Sequence, residues 1–372
     1  MKVGVDLIMQ NVGDWDRFLG RRFGSGPREA DHDMWYEDLA LGELVEDLGF
    51  DSLWTTEHHF TPYNLIPDPL QTLTWHAART KRLELGTCVI VLPWHDPVRV
   101  AEQIALLDVL TRGRRLMLGF GRGLGRVEYE GFRVPMAEAR DRFAEAFEVV
   151  RRALTQERFT FEGRFHRIPE MSIRPLPRTP NLLDDAYMAA NSPESVGVAA
   201  DLDLGLLIIP QKPWELHAED MALYRAARAK RGKEMLPAIV LCFPYCAATE
   251  AEARDGATRY IGAYQRSLVA HYELDEPEHF KSAKVYEYYA NAAAQMQELR
   301  KTAGESVMRD FFVGMQPWGT PEQVLTKLRE IKDKVDAAEL ICIFKTGGMP
   351  PALAERSMRL FAEEVLPELH RW

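Results

Sequence analysis

Residues 51–66 read DSLWTTEHHFTPYNLI, and the interpretation of the whole chain starts from this stretch. A short apolar run from Ser52 to Thr55 leads directly into the adjacent imidazoles of His58 and His59. If the run is a barrel strand, both histidines lie at its C-terminal end, where barrel enzymes place their chemistry. A lone histidine is more often a packing residue. Two of them at a strand exit favour a role in proton transfer.

Strand and helix patterns alternate on both sides of this stretch. Predicted strands lie at 3–8, 52–55, 84–92, 115–120, 186–190, 204–209, 238–246 and 339–344. Predicted helices lie at 33–48, 69–80, 97–111, 137–154, 193–200, 214–231, 249–270, 321–333 and 351–370. Eight strands, nearly all separated by a helix, favour a closed TIM (β/α)8 barrel over an open doubly wound sheet. The sequence therefore predicts an α/β protein with a single barrel domain over residues 1–372.

Three segments interrupt the alternation. Residues 9–31 read as a long loop, and the polar, proline-rich residues 156–180 as an excursion that contains a small hairpin. Residues 271–319, rich in Tyr, Glu and Lys, form an insertion before the last barrel unit, with helical segments inside it. Because long insertions in compact domains are often lids, we expect this one to cover the site.

Composition narrows the class of protein. The 372 residues carry a net charge of -10, which argues against a nucleic-acid or anionic-membrane surface. The four cysteines lie in apolar surroundings without a CxxC pair, as expected of reduced thiols. The N-terminus reads as a strand rather than a signal peptide, and no apolar run is long enough to span a bilayer. These features predict a cytoplasmic protein.

A glycine-rich run at 119–125, GFGRGLG, follows the fourth predicted strand. It lacks GxGxxG spacing, and residues 126–131 do not read as a helix start, so a dinucleotide-binding fold is not predicted. Arg122 within the run could bind a phosphate with two hydrogen bonds or lie on the surface of a turn. Local sequence leaves these two alternatives equal.

The junction at 190–195, ANSPES, joins a strand to a helix. Free amides at the helix start, with the Ser192 and Ser195 hydroxyls, could bind an anion. A Ser192 that only caps the helix is the more common case for this pattern, but phosphate sites occur at the late βα loops of barrels. His58, His59 and His95 do not have the spacing of a standard metal site, so no metal is predicted.

Five stretches together resemble the bacterial luciferase-like flavin-dependent monooxygenase superfamily. They are GFDSLWTTEHHFT at 49–61, GTCVIVLPWHDPVR at 86–99, LLDVLTRGRRLMLGFGRG at 107–123, AANSPESVGVAA at 189–200, and the segment 318–330 with the ending MRLFAEEVLPEL at 358–369. The resemblance covers essentially the whole chain, and EHHF followed by IVLPWHDPVR is its most specific part.

The resemblance implies a barrel that binds reduced FMN at its C-terminal mouth. A separate NAD(P)H-dependent flavin reductase would deliver the FMN, and O2 would add to it to give a flavin C4a-(hydro)peroxide. This species would oxygenate a small, apolar organic substrate. Homodimers are common in the family.

The resemblance also implies roles for individual residues. His58 matches the catalytic histidine, Glu128 and Asn191 match positions near the flavin, and Cys88-Val89 matches a non-proline cis peptide beside its ring. The matches to the phosphate contacts are Arg122, Arg140, Ser192 and Ser195.

Two departures limit what transfers. Light-emitting members have a cysteine at the position of Gly121 and a glutamate at that of Asn191, so light emission is not expected. The 9–31 loop is longer than in luciferases, so substrate preference does not transfer. The alternatives are a deazaflavin-dependent oxidoreductase on the same fold, a non-catalytic flavin-binding protein and, as the weakest, an unrelated barrel hydrolase.

Overall fold

The computed structural model describes residues 1–22, 30–281 and 286–372. Eight parallel strands close into a barrel in which spatial neighbours follow one another in sequence and the last strand pairs with the first. The barrel strands are β1 (Lys2–Leu7), β2 (Ser52–Thr55), β3 (Glu84–Val91), β4 (Leu116–Gly121), β5 (Ala186–Ala189), β6 (Gly205–Ile208), β7 (Ala238–Cys242) and β8 (Ala337–Cys342). The predicted TIM barrel is confirmed.

The α-helices lie outside the barrel and in its insertions. They are α1 (Trp15–Leu19), α2 (Asp31–Leu44), α3 (Pro69–Arg79), α4 (Pro97–Leu110), α5 (Arg126–Phe132), α6 (Ala139–Thr155), α7 (Pro193–Asp201), α8 (Trp214–Lys230), α9 (Glu250–Gly256), α10 (Gly262–Tyr272), α11 (Pro277–Lys281), α12 (Glu287–Ala303), α13 (Glu305–Met315), α14 (Pro321–Val335), α15 (Pro351–Glu364) and α16 (Leu366–Leu369). A π-helical turn (Ala257–Ile261) joins α9 to α10. Within the described residues, no helix is both long and apolar enough to cross a membrane.

Two predictions about single elements are wrong. The segment at 126–131 does open as helix α5, because its first turn is held by the buried side chains of Glu128 and Tyr129 rather than by local propensity. The strand predicted at 238–246 ends at Cys242, since Pro244 has no N–H to continue the ladder. Tyr245–Cys246 instead pairs with Trp318–Gly319 outside the barrel.

The three interrupting segments contain more structure than loops. Residues 9–31 include a 3-10 turn (Val12–Asp14) and α1, while residues 23–29 lie outside the described part. The predicted hairpin is present as Phe159–Glu162 paired antiparallel with Arg167–Met171. The helical segments predicted in the 271–319 insertion are α11, α12 and α13, and residues 282–285 of it lie outside the description.

Charged side chains close the bottom of the barrel interior. The Arg115 guanidinium lies 2.6 Å from carboxylate oxygens of Glu339 and Asp185 and 3.1 Å from Glu84. One cation surrounded by three carboxylates keeps its proton, and each carboxylate gains a charge-assisted hydrogen bond. This network ties β3, β4 and β8 together beneath the apolar core.

Above this layer, the Trp54 ring fills the barrel. A Cβ on Gly86 would lie 2.2 Å from the ring, and one on Gly4 would lie 2.3 Å from the hydroxyl of Ser52 that accepts the indole hydrogen bond. Both strands therefore need glycine at this level, because a larger residue would displace the indole.

Asp6 lies one inward position above Gly4 on β1, since alternate residues of a strand share a face. It is 2% exposed, and neither carboxyl oxygen has a side-chain or backbone partner of good geometry among the described residues. Burial raises the pKa of Asp6 well above its usual range. The carboxyl is therefore held in its neutral form near the top of the barrel.

We expect Asp6→Asn to stabilise the protein at neutral pH. The raised pKa of Asp6 means that its contribution to stability is complete below the unfolded value, near 4, and is lost as pH rises. Asparagine has no such loss. The free energy of unfolding of the variant should therefore exceed that of the wild type by more than about 1 kcal/mol at pH 7, and the two values should converge near pH 4. Urea unfolding at pH 4–8 measures this.

The matched control is Asp47→Asn at an exposed carboxylate. It should leave the pH dependence of unfolding unchanged. A stability difference between Asp6→Asn and wild type that stays constant from pH 4 to 8 would contradict the neutral state of Asp6.

Candidate active site

A cleft opens at the C-terminal ends of strands β2 to β6, which is the functional face of TIM barrels. Its cavity volume is about 100 Å³. Tyr272 of α10 and Tyr289 of α12 form one wall. The cleft is thus narrow because side chains at the start of the insertion reach into it.

Most of the residues predicted for the site line this one cleft. They are His58, Cys88, Val89, Arg122, Glu128, Asn191 and Ser195. Ser192 and Arg140 are not among the lining residues. The peptide bond between Cys88 and Val89 is cis, as the resemblance implied. The barrel therefore brings together residues that are far apart in the sequence, including the imidazole of His58 and the arginine Arg122 on which the site interpretation depends.

The Glu128 carboxylate is the centre of one buried cluster. Its Oε1 lies 3.0 Å from Nδ1 of His58 and 3.4 Å from Nε2 of His271, and it accepts the backbone N–H of His59 at 2.9 Å. The side chains of Glu128 and His271 are fully buried. Burial raises the pKa of Glu128, but His271 and His58 outweigh it and hold this pKa far below the usual range. Glu128 is therefore ionised.

This geometry assigns the proton positions on His58. An ionised carboxylate only accepts hydrogen bonds, so Nδ1 of His58 carries the hydrogen that faces Glu128. Burial lowers the pKa of His58 in spite of the nearby Glu128, so the neutral imidazole is favoured and its Nε2 carries a lone pair that can accept a hydrogen. The Tyr272 hydroxyl lies 3.3 Å from this Nε2. His58 thus offers a basic nitrogen on the cleft side.

Glu57 is the centre of a second cluster of the same type. Its Oε1 lies 3.0 Å from Nε2 of His59 and 2.7 Å from Nε2 of His95, and its Oε2 accepts the Val91 N–H at 2.9 Å. Burial opposes ionisation of Glu57, but these hydrogen bonds lower its pKa overall. Burial also opposes ionisation of His95 and so lowers its pKa, but Glu57 raises this pKa by more, and the net shift is upward.

These clusters bear on the metal question. His59 and His95 converge on a carboxylate and not on a shared vacant point. Among the described residues, His58, Glu128 and His271 are the group whose atoms lie close enough to hold an ion. Nδ1 of His58 is already hydrogen-bonded to Glu128, and Nε2 of His271 faces the same oxygen at 3.4 Å, so we do not assign them as ligands. The absence of a metal stays a prediction.

Arg122 also lines the cleft. The residue is 9% exposed, and its guanidinium lies 4.4 Å from the centre of the Tyr286 ring. Its backbone carbonyl accepts a hydrogen bond from Tyr129, and the next carbonyl, of Gly123, accepts one from Tyr286 at 2.8 Å. The insertion and α5 therefore both hold the glycine-rich turn. The alternative of a surface arginine is wrong.

The start of α7 is a capping box. Ser192 caps the helix, and its Oγ lies 2.6 Å from that of Ser195, whose hydroxyl donates to the Ser192 carbonyl. Arg140 reaches this helix start through Glu194, at 3.0 Å. In this structure the hydroxyls of Ser192 and Ser195 therefore cap the helix, as in the capping alternative. The structure still brings Arg140 to the helix start, where Glu194 occupies its guanidinium.

Three buried polar atoms of cleft-lining residues have no hydrogen-bond partner among the described residues. They are the acceptor Oδ1 of Asn191, the donor Nε1 of Trp94 and Oε2 of Glu128. Buried polar groups are nearly always paired, so such atoms at a cleft indicate a polar ligand. The donors and acceptors together match a ligand with both N–H and C=O groups and a negatively charged end near Arg122.

Several site residues were not found from the sequence. His271 and Tyr272 lie at the end of α10, in a segment whose helical pattern has no signal of a site. Lys212 contacts the Asn191 carbonyl at 3.2 Å and Asp220 at 2.5 Å, beside the cleft. Glu57 stands next to the histidine pair, and a buried acid in that position was a usable signal.

Comparisons with known proteins agree with this geometry. The profile of the family described as luciferase-like monooxygenase matches residues 19–337. An alkanal monooxygenase alpha chain from Photorhabdus luminescens is 24% identical over 89% of this chain and 90% of its own. The crystal structure of monooxygenase RslO1 from Streptomyces bottropensis has a TM-score of 0.77 and 26% identity, covering 99% of this chain and 100% of that chain.

Two further solved structures share the fold at lower identity. The oxygenating constituent of 3,6-diketocamphane monooxygenase from Pseudomonas putida, in complex with FMN, has a TM-score of 0.72 and 18% identity, covering 99% and 98% of the chains. The coenzyme F420-dependent tetrahydromethanopterin reductase from Methanopyrus kandleri has a TM-score of 0.66 and 16% identity, covering 99% of each. These likenesses show the fold alone.

We expect Glu57→Gln to destabilise the protein by about 2–4 kcal/mol, because it removes a buried charge that three donors satisfy. The lowered pKa of Glu57 stabilises the fold at pH values above the unfolded pKa of this group, and the raised pKa of His95 stabilises it at pH values below the unfolded pKa of the imidazole. The loss of stability in the variant should therefore be largest between roughly pH 4.5 and 6.5 and smaller above. Guanidinium unfolding at several pH values measures it.

The control is Glu43→Gln, which removes an exposed carboxylate with a single surface ion pair. It should cost less than about 1 kcal/mol at every pH. An equal loss of stability in both variants would mean that the Glu57 cluster stabilises the protein no more than a surface ion pair does.

Proposed function

The chain belongs to the luciferase-like monooxygenase family, and we propose that it is a two-component, FMN-dependent monooxygenase. It would take reduced FMN from a separate NAD(P)H-dependent reductase and use O2 to oxygenate a small, apolar organic substrate. The observation that supports this most is the shared cleft, which is lined by both the imidazole of His58 and the guanidinium-bearing Arg122.

The residues present fit an FMN-like ligand. The Asn191 and Trp94 atoms without partners can pair with N–H and C=O groups of a flavin, and Arg122 with its negative end. At the start of α7, a phosphate would take the place of the Glu194 carboxylate on Arg140. Reduced FMN, when bound, would supply the electrons that activate oxygen.

His58 would move the proton of the reaction. Its Nε2 accepts a proton from the ligand side of the cleft while Nδ1 stays bound to Glu128. The ionised Glu128 then stabilises the positive imidazole without taking its proton, because its own pKa is held low. The return of the same proton to the product completes the cycle.

The insertion would exclude water from the reaction. Tyr272 and Tyr289 already narrow the cleft, and a three-ring cofactor needs more room than the present 100 Å³. We therefore propose that the insertion opens for the cofactor and closes again over it. Closure would exclude water and so slow the unproductive loss of activated oxygen from the site.

A homodimer remains part of the proposal. Large apolar side chains are exposed on α3 and α4, namely Trp75, Leu106, Val109 and Leu110. Such a patch is a candidate for contact with a second copy of the chain. Sedimentation equilibrium would decide the oligomeric state.

His58→Ala should lower the rate of oxygenation by at least about 100-fold, because it removes a positioned proton acceptor. Binding of reduced FMN should stay within about threefold, since His58 is placed on the substrate side and not at the phosphate. Product formation with a reductase and a substrate panel, with anaerobic fluorescence titration, measures both. The control is His32→Ala, at an exposed imidazole of α2. Unchanged turnover in His58→Ala would refute the role.

The two rival functions are separated by cofactor titration. We expect the protein to bind reduced FMN more tightly than the deazaflavin, and Arg122→Gln to weaken FMN binding by roughly 30–100-fold through loss of a charge-assisted contact. The exposed Arg133→Gln should leave binding unchanged. Tighter binding of the deazaflavin would favour the hydride-transfer alternative. FMN binding without oxygen consumption across the panel would favour a non-catalytic flavoprotein.

A further inference from the structure

His271 is a buried imidazole without a part in the proton transfer proposed for His58. It lies on α10, is 1% exposed, and its Nε2 lies 3.4 Å from the Glu128 oxygen that His58 also contacts. The rings of His271 and His58 meet edge to face with centroids 4.9 Å apart. A buried histidine is most simply a packing residue. The contacts of both its ring nitrogens, however, indicate a more specific arrangement.

The position of the His271 ring is fully determined by its neighbours. Its Nδ1 lies 2.7 Å from the Thr61 hydroxyl, and its ring stacks on Tyr63 with centroids 4.6 Å apart and planes inclined by 15°. If Thr61 donates to Nδ1, the remaining hydrogen of a neutral ring lies on Nε2 and faces Glu128. One carboxylate oxygen then faces hydrogens of both imidazoles, with a hydrogen bond from His58 at 3.0 Å and a longer contact to Nε2 of His271 at 3.4 Å.

Sharing this oxygen changes what Glu128 can do for His58. Each donor to a carboxylate stabilises its charge locally and leaves less of it for the others. Without His271, a Glu128 bound only by His58 and the His59 N–H would hold a proton on the His58 ring more firmly, and Nε2 would then carry a hydrogen and lose its lone pair. His271 therefore opposes protonation of His58 by occupying part of the carboxylate.

The other titratable groups around His58 do not offset this effect. Burial raises the pKa of Tyr63, Tyr264 and Tyr272, so these hydroxyls stay neutral, and burial also raises the pKa of the Cys88 thiol. Tyr289, from α12, is neutral for the same reason. Besides His271 itself, the groups that act on the charge of the ring are Glu128 and, bound to its own two histidines, Glu57.

We propose that His271 is a positioning residue which, through the shared oxygen of Glu128, keeps Nε2 of His58 free to accept a proton from the cleft. The proposal rests on the function proposed above for His58, but the charge coupling itself exists in the protein without any cofactor. It can therefore be measured separately from oxygenation.

The test is an NMR titration of the His58 ring in the cofactor-free protein, with a chelator present to exclude metal ions. Loss of one imidazole signal in His58→Gln assigns that resonance among the 10 histidines. His271→Phe keeps the ring that stacks on Tyr63 and removes both nitrogens. We expect the titration midpoint of His58 to rise by about one pH unit in this variant.

Two further variants make the result decisive. His271→Gln can still donate a hydrogen bond to Glu128, so its midpoint should rise less than that of His271→Phe. It also provides the test if His271→Phe does not fold. His76→Phe changes a buried imidazole of α3, outside the cleft, and should leave the His58 midpoint unchanged. A His58 midpoint that stays the same or falls in a folded His271 variant overturns the proposal.

The same shift should be visible in catalysis. In His271→Phe, the acidic limb of the kcat profile should move to higher pH by the shift found in the titration. A one-unit rise lowers kcat about tenfold on that limb and leaves the alkaline plateau near the wild-type value. A packing defect would lower the plateau itself and contradict the proposal. Failure of oxygenation with an intact NMR shift would instead count against the proposed function alone.

Discussion

The candidate site depends on two buried carboxylates that each hold two imidazoles. Glu57 binds His59 and His95, and Glu128 binds His58 and His271. An isolated buried carboxylate is costly, and these two are tolerated because donors from several segments converge on each. The exit of β2, the exit of β3, α5 and α10 are therefore joined by hydrogen bonds at the mouth of the barrel. Rigid placement of His58 follows from this convergence.

The barrel interior is polar at both ends and largely apolar in the middle. Charged groups around Arg115 close its base, the Trp54 indole fills its middle, and the neutral Asp6 lies near the top. Polar atoms of Asp6, Glu128 and Asn191 that lack partners of good geometry among the described residues belong to this top layer. Unsatisfied groups there cost stability, and the simplest reason to retain them is contact with a ligand or with the groups that act on it.

The sequence predicted the framework well and the site in part. The alternation of strands and helices was sufficient for the barrel, since a period of two and a period near 3.6 are local properties. The resemblance assigned residues that meet in one cleft, such as Arg122 and Asn191. Helix α5 was missed because it is stabilised by burial of Glu128 and Tyr129 rather than by local propensity. The capping hydroxyls of Ser192 and Ser195 turned out to bind each other.

By itself, the sequence determined the number and order of the barrel elements, the exit of β2 as a site and the family to which the chain is similar. Those features are set by neighbours in the chain and by short motifs. Only the tertiary structure decided that His271 shares a carboxylate oxygen with His58, and that Tyr272, 214 positions further along the chain than His58, faces its Nε2. Barrel closure creates these contacts, because hydrogen bonds between distant segments depend on relative positions that no local pattern encodes.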